Sequence, residues 1–221
     1  LQDANLLVNP EKSQFHVQEV VYLGHLIKPG RVQMDPAKLK AVRDWPTPTN
    51  VKEVQSFLGF ANYYRRYLKD YGRITIPLTN LTKKGTKYEW TPECQAAFDS
   101  VKRNMLEEPV TRMADPNRPY ELETDASDYA LGGQLGQRDD EGRLHPVAYF
   151  SKKLHGPELN YQIHDKELMA IIECFKEWKP YLSGTTHPIT VFTDHKNLAY
   201  FTTSKELNKR QTRWAEFLSE F

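Results

Sequence analysis

Twice in the second half of the chain a β-prone run ends in Thr-Asp, and the strongest helix pattern of the sequence lies between the two. The first run is Tyr120 to Asp125, where Tyr120, Leu122 and Thr124 alternate with Glu121, Glu123 and Asp125. A period of two suits a strand with one buried face. The second run is Ile189-Thr190-Val191-Phe192, followed by Thr193 and Asp194. Each sets a carboxylate at a strand end, the rim where open α/β sheets place their chemistry. Taken singly, either Asp also fits a turn-capping residue in a surface loop.

The helix between them, Asn160 to Leu182, carries an apolar stripe of Leu168, Ile171, Ile172, Phe175, Trp178 and Leu182. Residues one turn apart share a face, so Glu167 lies in line with Ile171, Cys174 and Trp178, at the flank of the stripe. From there a glutamate near the helix start can aim at a strand-end carboxylate. Asp165 and Glu173 fall on more exposed faces and are weaker candidates. Asp125, Glu167 and Asp194 brought together repel one another unless cations neutralise them. Ligands that are all oxygen favour Mg²⁺ or Mn²⁺ over zinc. Two such ions, roughly 3.5–4 Å apart, activate a water and stabilise the leaving oxygen of a phosphodiester.

The 221 residues suffice for one large domain or two small ones, and 39% hydrophobic with 27% charged residues fits a soluble globular protein. No apolar run approaches the roughly 18 residues that span a bilayer, so no membrane partner is expected. Cys94 and Cys174 form no CxxC pair, which argues against a zinc site or a disulfide framework. The net charge of +1 hides an asymmetry: residues 35 to 90 hold 11 Lys or Arg against 5 Asp or Glu. A basic block beside an acidic one suits nucleic-acid contact by the first and a carboxylate site in the second. A plain solvated basic surface has the same composition.

In chain order, Val20 to Ile27 reads as a strand, Lys28 to Arg31 as a turn, and Val32 to Met34 as its hairpin partner. Asp35-Pro36 opens a helix that ends before Trp45-Pro46-Thr47-Pro48. Thr49 or Asn50 caps the next, which runs to Asp70 with Val54, Phe57, Leu58, Ala61, Tyr64 and Leu68 on one face. Tyr64, Arg65, Arg66 and Lys69 interleave aromatic and basic character, as a nucleic-acid surface does and as an aromatic core with a basic rim also does. A further helix is expected from Thr91-Pro92 to about Leu106. Met113 to Pro119 reads as a tether. Beyond it come strands at Tyr120–Asp125, Leu131–Gln137 and Pro146–Ser151, with Gly136 weakening the second. Helices at Asn197–Phe201 and Asn208–Phe221 close the chain. The expected fold is α/β (α+β): a hairpin and a helical subdomain, then a mixed-sheet domain.

The strings NPEKSQF, VYLGHLI, LKAVRDWPTPTNVKEVQSFLGFANYYRRYLKDY, PLTNLTKKG, ETDASDYALGGQL, HPVAYFSKKL, KELMAI and VFTDHKNLAYF occur in that order. Together they make the chain resemble the Pol polyprotein of gypsy-type LTR retrotransposons. The resemblance implies the end of a reverse transcriptase palm over residues 1–34, with VYLGHLI as a primer-grip-like hairpin placing Leu23, Gly24 and His25 near a primer end. It implies a thumb over 35–108, a connection over 109–119, and an RNase H-like domain over 120–221. In that family the Asp of TDAS, the Glu of KEL and the Asp of TDH are metal ligands, here Asp125, Glu167 and Asp194. The implied activity is hydrolysis of RNA in RNA–DNA hybrids, with the thumb holding the template-primer duplex. The implied partners are the rest of the polyprotein and nucleic acid, in the cytoplasm or virus-like particles, with the nucleus as a further site. Two family features are absent: the YxDD motif of the polymerase site, and a fourth nuclease carboxylate in an ADALSR-like stretch beyond Arg213-Trp214. An inert hybrid-binding remnant is therefore the alternative. An integrase-type transferase ends its acidic series in a helical Glu, whereas the order here is Asp, Glu, Asp.

Overall fold

The computed structural model describes residues 7–107, 111–194, 198 and 207–221. Two hydrophobic cores organise them, one built from residues of the first half and one from the second. The first half begins with strands β1 (Val20–Tyr22), β2 (His25–Lys28) and β3 (Arg31–Met34), all antiparallel. The run expected as one strand folds back on itself at Leu23 and Gly24, whose φ values are 48° and 77°. A two-residue loop with both φ positive matches the right-handed twist of its strands, which is why the β-prone run breaks there. Strand β4 (Thr111–Arg112) completes this sheet against β3.

Local capping accounts for the helices that follow. In α1 (Pro36–Arg43) the Asp35 carboxylate accepts from Ala37 N at 2.9 Å. Its C-terminal end is tied down by Lys102 Nζ, which donates to the carbonyls of Arg43 and Trp45 at 3.0 and 2.8 Å. Asn50 caps α2 (Val51–Tyr63): its side chain accepts from Glu53 N, and Glu53 reaches back to Thr49 N at 2.7 Å. This helix stops at Tyr63, short of the expected Asp70. A 3₁₀ turn at Arg65–Tyr67 and short helices α3 (Tyr71–Ile74) and α4 (Ile76–Leu81) continue the chain. Asp70 takes φ of 56°, which redirects the backbone into α3. Helix α5 (Pro92–Glu107) then packs Phe98, Val101 and Met105 against Phe57 and Leu78. Burying a side chain of that size stabilises by about 1.5–3 kcal/mol.

The second half is a four-stranded mixed sheet in the order β7-β6-β5-β8, from β5 (Glu121–Ala126), β6 (Ala130–Arg138), β7 (Leu144–Lys153) and β8 (Thr190–Phe192). Strands β5, β6 and β7 form an antiparallel meander, and β8 runs parallel to β5. Helix α6 (Ile163–Glu177) covers one face, followed by α7 (Lys179–Leu182), and α8 (Lys209–Leu218) lies against α6. The expected apolar stripe of α6 is buried throughout. Gly133 lets the helix settle: a Cβ there would stand 2.3 Å from Cys174 Sγ. Gly136 does not end β6; the register shifts between Leu135 and Gly136 and the strand continues to Arg138.

The Met113–Pro119 segment is held by the buried Gln137 amide, which binds the Asp115 N–H and the carbonyls of Asp115 and Arg118. A further expectation is corrected. Asp165 is 5% exposed, because α8 brings Arg210 and Gln211 onto its carboxylate. Helical phase within α6 alone could not show that second helix. The helix expected at Asn197–Phe201 lies outside the described residues.

Candidate metal centre and nucleic-acid surface

Strand alternation sends Leu122 and Thr124 into the core and Glu123 and Asp125 to the open face, as the period predicts. After Ala126 the chain turns tightly, with Ser127 N donating to Ala130 O at 2.8 Å and Ala130 N donating back to Ser127 Oγ at 3.0 Å. The turn holds the end of β5 beside the first turns of α6. Ala126 N donates to Glu167 Oε1 at 3.2 Å. One residue earlier, the buried Lys166 donates to Asp128 O at 3.3 Å. Nothing in the sequence marks Lys166, since charge on a helix flank carries no signal that it is buried.

Parallel pairing of β8 with β5 brings Asp194 alongside, so ligand atoms of Asp125, Glu167 and Asp194 lie within 4.8 Å of one another. Asp125 and Asp194 are exposed, while Glu167 is 2% exposed. Its Oε2 is buried with no hydrogen-bond partner. Burial first, then the neighbouring charges of Asp194 and Asp125, push the Glu167 carboxyl up to about 7 against the pull of the Ala126 N–H. A buried carboxylate with one orphaned oxygen, clustered with two more carboxylates, is the donor set of a hard divalent cation. The residues present therefore fit Mg²⁺ or Mn²⁺. Asp165 and Glu173 are not part of this cluster: Asp165 is held by Arg210, and Glu173 pairs with Lys152 and Lys176 at 3.1 and 2.8 Å.

The other candidate residues sit elsewhere. Leu23 is 67% exposed at the hairpin tip, and its carbonyl accepts from Tyr63 Oη at 2.5 Å. Gly24 O accepts from Asp35 N at 3.0 Å and from Tyr64 Oη at 3.2 Å. His25 Nδ1 lies 2.8 Å from Tyr67 Oη, and its ring stacks 5.5 Å from that of Tyr63. Burial, with the Arg66 charge, lowers its pKa and favours the neutral ring. Tyr64 is 2% exposed, so it buttresses the hairpin from within and offers no ring to solvent. The hairpin opens on a cavity of about 570 Å³ also lined by Arg66, Arg112, Tyr120 and Tyr181. Arg65 and Arg66 face the second half, where they meet Glu177 and Tyr181 at 3.4 and 3.3 Å. Lys69 stands apart from both, at a cleft of about 460 Å³ that holds Asp125 and Asp194.

Comparison with known proteins agrees with this architecture. Residues 115–221 match the family described as the RNase H-like domain found in reverse transcriptase. The Tf2-3 and Tf2-4 transposon polyproteins of Schizosaccharomyces pombe are each 39% identical to this chain over 223 residues. Those alignments take in 100% of the chain and 17% of each polyprotein. Among solved structures, a foamy viral protease-reverse transcriptase in complex with RNA/DNA hybrid superposes with a TM-score of 0.72 at 22% identity, over 95% of this chain and 29% of that one. A second, foamy viral protease-reverse transcriptase dRH in complex with double-stranded DNA, gives the same TM-score and identity over 91% and 36%. The mixed sheet, the helix across it and the carboxylate cluster thus find their place: residues 115–221 belong to the RNase H-like domain family of reverse transcriptases, in a chain that aligns end to end with a segment of retrotransposon polyproteins.

Proposed function

We propose that this chain is the nuclease-bearing part of a retrotransposon reverse transcriptase and hydrolyses RNA in RNA–DNA hybrids at Asp125, Glu167 and Asp194. The observation that carries the reading is that Glu167, whose Oε2 is buried and unpartnered, has a ligand atom within 4.8 Å of those of Asp125 and Asp194. Divalent ions bound there supply an activated water and stabilise the leaving oxygen. Glu167 is oriented by the Ala126 N–H and keeps its other oxygen buried and unpartnered, while Asp125 and Asp194 are exposed to solvent. The buried glutamate fixes the position of the charge and the two exposed aspartates leave room for a phosphodiester.

The hairpin residues Leu23, Gly24 and His25 and the basic residues Arg65, Arg66 and Lys69 are proposed to contact the template-primer duplex. Residues 1–34, 35–108, 109–119 and 120–221 are proposed as palm end, thumb, connection and nuclease. The foamy viral relative of the same fold is in complex with RNA/DNA hybrid, which supports the substrate. The test is Mg²⁺- or Mn²⁺-dependent cleavage of the RNA strand of a labelled hybrid, which Asp125→Asn abolishes. Cleavage undiminished by that substitution would remove Asp125 from the site. Salt-sensitive hybrid binding without turnover, even in Mn²⁺, would identify an inert binding module instead.

A further inference from the structure

Arg65, Arg66 and Lys69 come from one basic run, yet their surroundings differ. The two arginines face groups of the second half, Glu177 and Tyr181. Lys69 is exposed and makes no hydrogen bond or ion pair among the described residues. Its turn is set down on the open face of the second sheet by two close approaches. Gly72 N donates to Ser151 Oγ at 2.7 Å, and a Cβ on Gly72 would stand 2.6 Å from that oxygen. A Cβ on Gly132, the residue paired with Asp125, would stand 3.6 Å from Asp70 Oδ1.

These contacts bring Lys69 to the cleft that holds Asp125 and Asp194. Asp70 and Glu123 line the same cleft, and Lys69 is the only cationic residue among its described lining. Asp70 is already opposed by Arg73, at 3.3 Å. A phosphodiester strand entering between these carboxylates meets like charge on most sides. Cations at the metal centre offset the part contributed by Asp125, Glu167 and Asp194. They leave the wall formed by the first half of the chain, where Lys69 is the one positive group of the described lining.

We propose that Lys69 holds a phosphate of the substrate strand at the nuclease cleft, so that the working site is assembled from both halves of the chain. The proposal rests on the metal-centre reading above and goes beyond it by assigning a contact at the cleft to the helical half. An ammonium on a flexible stem suits this task, since it acts as a point charge toward phosphate without demanding one geometry.

The test is a double-mutant cycle on hybrid binding by residues 1–221, followed by fluorescence anisotropy with Ca²⁺ replacing Mg²⁺ to slow turnover. Lys69→Ala weakens binding about threefold or more in the wild-type background and clearly less in the Asp125→Asn background, because both groups act on one strand segment. Lys69→Arg retains affinity. Equal losses in the two backgrounds, or no loss from Lys69→Ala, overturn the proposal and leave the metal centre standing. If Asp125→Asn binds hybrid with the full cation dependence of the wild type, the metal-centre reading itself falls, and the proposal with it.

Discussion

One carboxylate oxygen of Glu167 accepts a hydrogen bond from the Ala126 amide at 3.2 Å, and its other oxygen is buried without a partner. The strand end thus fixes the side chain while leaving half of it unsatisfied. Burying such an oxygen costs stability that a bound cation returns.

Added Mg²⁺ or Mn²⁺ should therefore raise the melting temperature of the wild-type chain. At a hundredfold excess over the dissociation constant the gain is about 2.7 kcal/mol. Glu167→Gln removes the buried charge, so in the absence of metal this variant should be at least as stable as wild type and should lose the metal response. Differential scanning fluorimetry with and without metal checks both; a full metal-induced shift in Glu167→Gln would detach Glu167 from cation binding.

Gly133→Ala should destabilise the second half by about 1–3 kcal/mol, the usual cost of overpacking. The added methyl would meet Cys174 Sγ at 2.3 Å. Adding Cys174→Ala should recover part of the loss, which urea unfolding of the single and double variants measures. Purely additive losses would mean that the sulfur is not the obstacle.

Asp139 sits in the β6–β7 turn, 2.8 Å from His145 Nε2 and 3.1 Å from Arg143 Nε. The hydrogen bond from His145, then those from Arg143, hold its carboxyl well below the ordinary value of 3.8. A depressed carboxylate contributes stability above its unfolded pKa and loses it as the pH falls toward the folded one. Asp139→Asn should lower the melting temperature at neutral pH, and the gap should close progressively below about pH 3.8. A gap independent of pH would assign the effect to turn geometry.

Arg210→Ala should cost about 2 kcal/mol, because it leaves the buried Asp165 carboxylate without its guanidinium partner, with Gln211 still donating to it. The cost is set below that of breaking a fully buried pair because the Arg210 side chain is 31% exposed. Arg210 also lies 3.9 Å over the Tyr161 ring, so Arg210→Lys should not restore the full loss. Guanidinium-induced unfolding of both variants decides this.

Much of the candidate site is legible in the sequence because it depends on two periodicities. Alternation along Tyr120–Asp125 fixes which face Asp125 takes, and helical phase puts Glu167 at the flank of its stripe. Asp194 follows from the repeated Thr-Asp ending. What escaped the sequence depends on tertiary packing. Asp165 is buried by a helix more than 40 residues away in sequence, and Lys166 by a turn nearly 40 residues before it. Tyr64 combined an apolar phase with a basic neighbourhood, and only packing under Gly24 shows that the phase prevailed. The break at Leu23-Gly24 was masked because strand propensity on both sides exceeds the turn signal of a single glycine.

Each of the two hydrophobic cores contains one cysteine, Cys94 at 3% exposure and Cys174 fully buried. Neither is in a disulfide. Desolvation keeps the Cys174 thiol protonated and inert until α6 lifts from the sheet. The chain therefore carries a separate chemical clock in each half. The labelling rates of the two thiols in native buffer should tell whether the helical layer and the mixed sheet open together or one before the other.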